Sequence, residues 1–202
     1  IGGNVQGTST TYGVRLYYTK STDVYHNTVL ADPTSTSTTY GFYMYNSTNT
    51  VIINNIFNVK NMGTGSTRYA FYTNNASNIL DCDYNNYYSN GSSLAYWGGA
   101  KANLAALQSA TGGPAVHDMG STNIDVLFAG PMDLHTLDLN LNDLGTPLTA
   151  VTMDIDGDAR SATAPDMGAD EYTPPANDIG VTAWIEPLSG GAVNTNPTVN
   201  IE

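Results

Sequence analysis

An internal repeat limits what this chain can fold into. The hexapeptide "YGVRLY" at 12–17 returns as "YGFYMY" at 40–45 and, more loosely, as "YAFYTN" at 69–74, at spacings of 28 and 29. Each copy runs on into a second stretch: "STDVYHNTV" at 21–29, "TNTVIINNIF" at 48–57 and "ASNILDCDYNNYY" at 76–88. Apolar residues within a copy alternate (Val14 and Leu16, Phe42 and Met44, Val51 and Ile53), the period of a strand. The links "ADPTSTSTT" and "KNMGTGSTR" are rich in turn formers. A unit of about 28 residues made of short strands has no core of its own, so neighbouring units must stack to bury one face. Parallel stacking sets equivalent residues roughly 4.8 Å apart, and the predicted fold class is all-β, a parallel β-helix.

"TVIINNIF" at 50–57 tests that expectation, because two amides interrupt an apolar run. A buried amide without partners costs about 1–3 kcal/mol. Asn27, Asn55 and Asn86 follow matching strands at spacings of 28 and 31, so they are expected to stack as an amide ladder, each bond contributing about 0.5–1.5 kcal/mol net. Asn54 is expected to alternate toward solvent.

Charge divides the chain. Residues 1–117 sum to +1 and residues 118–202 to −13, where fourteen acids face Arg160 alone. Nucleic acid is excluded as a partner, since its affinity comes from basic clusters that are missing here. Cys82 is the single cysteine, so no intrachain disulfide forms. No apolar run approaches the roughly 18 residues of a membrane span. Few Lys and Arg beside abundant Thr, Asn, Ser, Gly and Tyr suit an extracellular or cell-surface location. The Gly/Thr-rich opening has no signal-peptide character and reads as a cut through a longer chain.

The coil pattern of residues 1–97 resembles right-handed parallel β-helix proteins of the pectin-lyase-like family, a fold that carries lyases, hydrolases and adhesins alike. "AKANLAALQSATGG" (100–113) predicts a short capping helix with Leu104 and Leu107 on one face and Gly112 as its C-cap. Acidic and apolar residues alternate over 114–150, which predicts short strands continuing along the stack. "DIDGDARSATAPDMGADEY" (154–172) is similar to the closing segment of secreted or surface-anchored β-helix proteins of the Bacteroidetes type, through Asp154, Asp156, Gly157, Arg160, Asp166, Gly168, Ala169, Glu171 and Tyr172. That resemblance implies a β-helix domain over 1–172 and export, by analogy through the type IX system. "TPPAN" (173–177) reads as a linker. Residues 178–202 resemble the first strands of a CARDB-like immunoglobulin-type β-sandwich, of which two or three strands fit.

Four sets of residues are weighed for chemistry. Asp81 and Asp83 share one face of a predicted strand, and paired carboxylates serve glycoside hydrolysis, although a turn role is preferred for them. Asp154, Asp156 and Asp158 are candidate calcium ligands, but Ala159 and Pro165 stand where an EF-hand needs Gly and Glu. No other cofactor is expected. His26, His117 and His135 fall at unrelated phases, against a metal triad. Thirteen of fourteen tyrosines precede residue 97, so some must line outer faces, where glycans or surface proteins could bind. The expected function is a noncatalytic secreted or cell-surface module, an adhesin, stalk or carbohydrate-binding segment; the alternative is a fragment of a polysaccharide lyase or glycoside hydrolase.

Overall fold

The structure is a computed structural model that describes residues 2–64, 67–111 and 117–174. The linker beyond residue 174 and the sandwich strands expected at 178–202 lie outside the described residues, as does Gly112.

After β1 (Gly2–Val5), the chain makes three coils of three strands each. These are β2 (Thr11–Tyr17), β3 (Lys20–Tyr25) and β4 (Thr28–Ala31); β5 (Thr39–Tyr45), β6 (Thr48–Ile53) and β7 (Ile56–Val59); β8 (Arg68–Thr73), β9 (Ile79–Asp83) and β10 (Asn86–Ser89). Equivalent strands pair in parallel into three sheets: β1-β4-β7-β10, β2-β5-β8 extended by β11 (Ala95–Trp97), and β3-β6-β9. The result is a parallel β-solenoid of about three turns.

Register follows the hydrophobic alternation. Val14 pairs Phe42 and Leu16 pairs Met44, so inward positions meet inward positions. Phe42 stacks on Phe71 with centroids 5.2 Å apart, Phe71 on Trp97 at 5.8 Å and Phe57 on Tyr87 at 6.2 Å, an aromatic column through the core. Gly41 opens space for this winding: a Cβ there would meet the Ala70 carbonyl oxygen at 2.7 Å.

The stack closes where β12 (Ala100–Lys101) folds back antiparallel on β11, turning through Gly98 and Gly99 at φ +59° and +144°. The helix α1 (Leu104–Thr111) follows, starting later than predicted because Ala100 and Lys101 are needed as a strand. Asn103 Oδ1 accepts a bond from the Ala106 N–H at 2.9 Å and so starts the helix. Leu107 enters the core and Leu104 packs beside it, covering the end of the solenoid.

Residues 117–174 correct the expectation of further strands. Among the described residues of this segment only isolated bridges occur, Asn86 with Thr122, Phe128 with Thr136 and Met153 with Ala159, plus a 3₁₀ turn at Leu139–Leu141. The cause lies in β4 and β7, "TVLA" and "IFNV", whose residues are buried on both faces and so require a cover outside as well as a core inside. The segment supplies that cover. Ile56 on the outer face packs with Val126, Leu141 and Met167, edged by Tyr84, Ile124 and Phe128, in a second apolar cluster.

Candidate functional site

The turns that join the second and third strands of each coil are pairs of residues: His26-Asn27, Asn54-Asn55 and Tyr84-Asn85. The first residue of each pair takes the left-handed conformation, at φ 49°, 60° and 53°. The second forms the ladder. Asn55 Oδ1 accepts from both the backbone N–H and the Nδ2 of Asn27, each at 2.9 Å, and Asn85 Oδ1 accepts the same pair from Asn55, each at 2.9 Å. Ser121 Oγ provides the next rung, accepting the Asn85 N–H at 3.0 Å.

The third rung is therefore Asn85 and not Asn86. Asn86 instead opens β10 opposite Ile56, where its Oδ1 accepts from the Ile124 N–H and the Thr122 hydroxyl, both at 2.8 Å. The reason is register. Setting Asn86 against Asn55 would turn Tyr87 outward, whereas Tyr87 is fully buried opposite Phe57. Asn54 is likewise buried and not solvated: its Nδ2 donates to the Thr146 carbonyl at 2.7 Å and its Oδ1 accepts the Thr146 N–H at 2.9 Å.

The left-handed column is the seat of the closing segment. The Gly168 N–H donates to the Asn54 carbonyl at 2.7 Å, and the Ala169 N–H to Thr28 Oγ1 at 2.8 Å. His26 Nε2 accepts from Asn54 Nδ2 at 2.9 Å while its Nδ1–H donates to the Gly168 carbonyl at 3.2 Å, a pairing of the neutral ring. Burial and then the Arg160 charge hold His26 down at about 4. Arg160 clasps the segment from within. Its Nη2 donates to the Gly168 and Ala169 carbonyls at 2.9 and 2.8 Å, and its Nη1 meets Glu171 Oε2 at 3.2 Å. Glu171 also accepts from the N–H groups of Ser161 and Asp166, and Asp166 from those of Asp143 and Tyr172. Burial raises Asp166 to about 6. Asp154, Arg160, Asp166 and Glu171 are thus committed to backbone groups, and Arg160, Asp166 and Glu171 serve as a structural clasp.

The predicted carboxylates of β9 have different partners. Asp83 Oδ1 accepts the N–H groups of Tyr84 and Gly120 at 2.8 and 2.7 Å, a turn role, while Asp81 is exposed with His117 Nδ1 at 3.7 Å. Asp154, Asp156 and Asp158 do not converge as one ligand set. Asp154 Oδ1 accepts from the Asp156 and Asp158 N–H groups at 2.9 and 2.8 Å, and its Oδ2 from the Glu171 N–H at 3.1 Å. Burial would raise the Asp154 carboxyl, but these backbone donors and Arg160 hold it low. Asp156 turns away to His135, its Oδ2 lying 2.7 Å from Nε2. Sequence spacing gave no hint of this contact, because it joins two loops folded over the sheet.

Another buried group escaped the sequence reading. Asp118, at φ +60°, stands at the covered end of the solenoid, where its Oδ1 accepts from the Tyr87 and Ser121 hydroxyls at 2.9 and 3.0 Å. Its Oδ2 is buried without a partner, and burial pushes the carboxyl up to about 7.

Tyrosines line the outer face of β2, β5, β8 and β11. Tyr12, Tyr40 and Tyr69 form one column with centroids 5.2 and 6.1 Å apart; Tyr43, Tyr72 and Tyr96 form a second at 4.9 and 4.8 Å. Adjacent rings lie within 20° of parallel. Ring faces are therefore spent on one another, the two columns meet edge to face (Tyr40 with Tyr43 and Tyr72), and the rings are half-buried. Arg15 prolongs the second column, in register with Tyr43, and its guanidinium lies 5.0 and 4.7 Å from the Tyr12 and Tyr17 rings. Burial, reinforced by neighbouring phenols, raises Tyr40 to about 12 and shifts Tyr43, Tyr69 and Tyr72 upward, so the hydroxyls stay protonated donors. β2, β5, β8, β11 and β12 contain Arg15, Arg68 and Lys101 but no acid, on a chain of net charge −12.

No helix among the described residues is long and apolar enough to cross a membrane. Comparison with protein-family models, with curated proteins and with solved structures gives no match.

Proposed function

We propose that the chain is a noncatalytic β-solenoid module of a secreted or cell-surface protein, whose tyrosine face holds a glycan lying along the solenoid. One observation carries this reading: two columns of phenolic hydroxyls recur once per coil on the non-acidic face of an acidic protein. A polymer repeating its own hydroxyls meets an equivalent donor or acceptor at every coil, and Arg15 at the end of a column favours uronate-bearing chains. The resemblance of 1–97 to right-handed pectin-lyase-like β-helices, of 154–172 to a Bacteroidetes-type closing segment, and of 178–202 to a CARDB-like module, supports placement within a longer exported protein.

Binding to neutral and uronic-acid polysaccharides by affinity electrophoresis tests this. Retardation by at least one polymer is expected, reduced several-fold by Tyr43→Phe with Tyr72→Phe, which removes hydroxyls and keeps the rings. No retardation by any polymer overturns the proposal. Release of unsaturated products or new reducing ends, abolished by Asp81→Ala, would replace it with lyase or hydrolase activity.

A further inference from the structure

Acidic residues crowd the closing loops, and most have a backbone partner that explains them. Asp154 is saturated by three N–H groups, and Asp166 and Glu171 are held in the Arg160 clasp. The carboxylates of Asp133, Asp156 and Asp170 gather round His135, Asp133 and Asp170 each accepting a backbone N–H as well. Asp133 Oδ1 bonds Nδ1 of the ring, Asp156 Oδ2 lies 2.7 Å from Nε2, and Asp170 Oδ2 accepts the Thr136 N–H at 3.1 Å. Donor atoms of His135, Asp156 and Asp170 all lie within 4.8 Å of one another.

We propose that His135 Nε2, Asp156 and Asp170 bind a divalent transition ion of the zinc, cobalt or nickel type, with Asp133 as the positioning carboxylate. Four features support it. Nε2 lies 2.7 Å from Asp156 Oδ2 across a shared proton, the position a dication takes when it displaces that proton. The carboxylate–imidazole pair is the arrangement that fixes the tautomer and orientation of a metal-ligating histidine. An imidazolium would leave two of the three carboxylates uncompensated, whereas a dication on the neutral ring leaves one. Metal–ligand distances of about 2.0–2.2 Å put donor atoms roughly 3–3.5 Å apart, which side-chain rotation reaches from the present spacing.

The loops themselves are held in place. The Phe128–Thr136 bridge closes the first, the Met153–Ala159 bridge the second, and the Thr136 N–H bond ties Asp170 to the first. A nitrogen donor selects a borderline ion over calcium, which takes oxygen. The ion would pin two exposed loops to the closing segment, with its remaining positions open to water.

Cobalt(II) titration of the whole chain at mildly alkaline pH, read by visible absorption, with calorimetric titration of zinc, tests the site. One-to-one binding is expected, weakened at least about 100-fold by His135→Gln and by about 10–100-fold by Asp133→Asn, while Asp158→Asn leaves it unchanged. Asp156→Asn, in an exposed turn, gives the same loss and replaces His135→Gln should that variant misfold. Absence of cobalt absorption and zinc heat, binding that survives both His135→Gln and Asp156→Asn, or calcium competing on equal terms would each overturn the proposal.

Discussion

At the scale of residues, the amides are not interchangeable. Asn55 is buried within the ladder and bonds both Asn27 and Asn85, whereas Asn27 is half-buried. Asn55→Ala takes the shared acceptor from the Asn27 N–H and amide and a donor from Asn85 Oδ1, and is expected to cost about 3 kcal/mol, against about 1 kcal/mol for Asn27→Ala, by urea denaturation. Equal costs would mean the stack is not cooperative. Two buried titrating groups act in opposite directions. Asp118 at about 7 lies above its unfolded value of 3.8, so its stabilising protonation is full at low pH and fades as pH rises from about 4 to 7. His26 at about 4 lies below 6.5, so its contribution is full above 6.5 and fades as pH falls through that window. Asp118→Asn should leave stability rising with pH across this range relative to wild type, and His26→Gln should leave it falling. Thermal melts of both variants from pH 4 to 7 check the signs. Neither group was legible in sequence, because each shift comes from burial by residues distant along the chain.

At the scale of elements, the closing segment is a separable layer. Gly168 sits at φ +91°, and a Cβ there would meet Ile56 Cδ1 and Thr28 Oγ1 at 2.6 Å. Gly168→Ala should therefore undock residues 117–174 from the β4–β7–β10 sheet while the coils remain, at about 2–4 kcal/mol. Faster proteolysis and amide exchange in this segment, with exchange in β5 and β8 unchanged, is the expected pattern. Uniform acceleration throughout would show that layer and coils unfold together. The alternation in 114–150 suggested strands because acidic and apolar residues do interleave there. What that pattern omits is the demand of the sheet: Val126, Leu141 and Met167 are drawn to Ile56 one at a time, by irregular loops.

At the scale of the molecule, a solenoid must end, and this one ends at α1. Leu107 is fully buried against the last coil, so Leu107→Asp should open the end and expose the edge of β11 and β12. Size-exclusion chromatography is expected to show concentration-dependent oligomers. A variant that stays monomeric and folded would assign protection of that edge to another element.

The sequence by itself determined the coil. Tyr, Gly and alternating apolar residues recurring every 28 or 29 positions admit only a stack whose inward residues meet, since a one-residue slip would expel Phe57 and Tyr87 from the core. The recurring tyrosines likewise required an outer face lined with rings. Tertiary structure decided the rest. It chose Asn85 over Asn86, because burying Tyr87 outweighed matching one Asn-Asn pair to another. It buried Asn54 under Thr146, stacked the tyrosine rings face to face, and brought His135 to Asp156 and Asp170. Those outcomes depend on contacts between segments far apart in the chain, and such contacts leave no periodicity for a sequence to display.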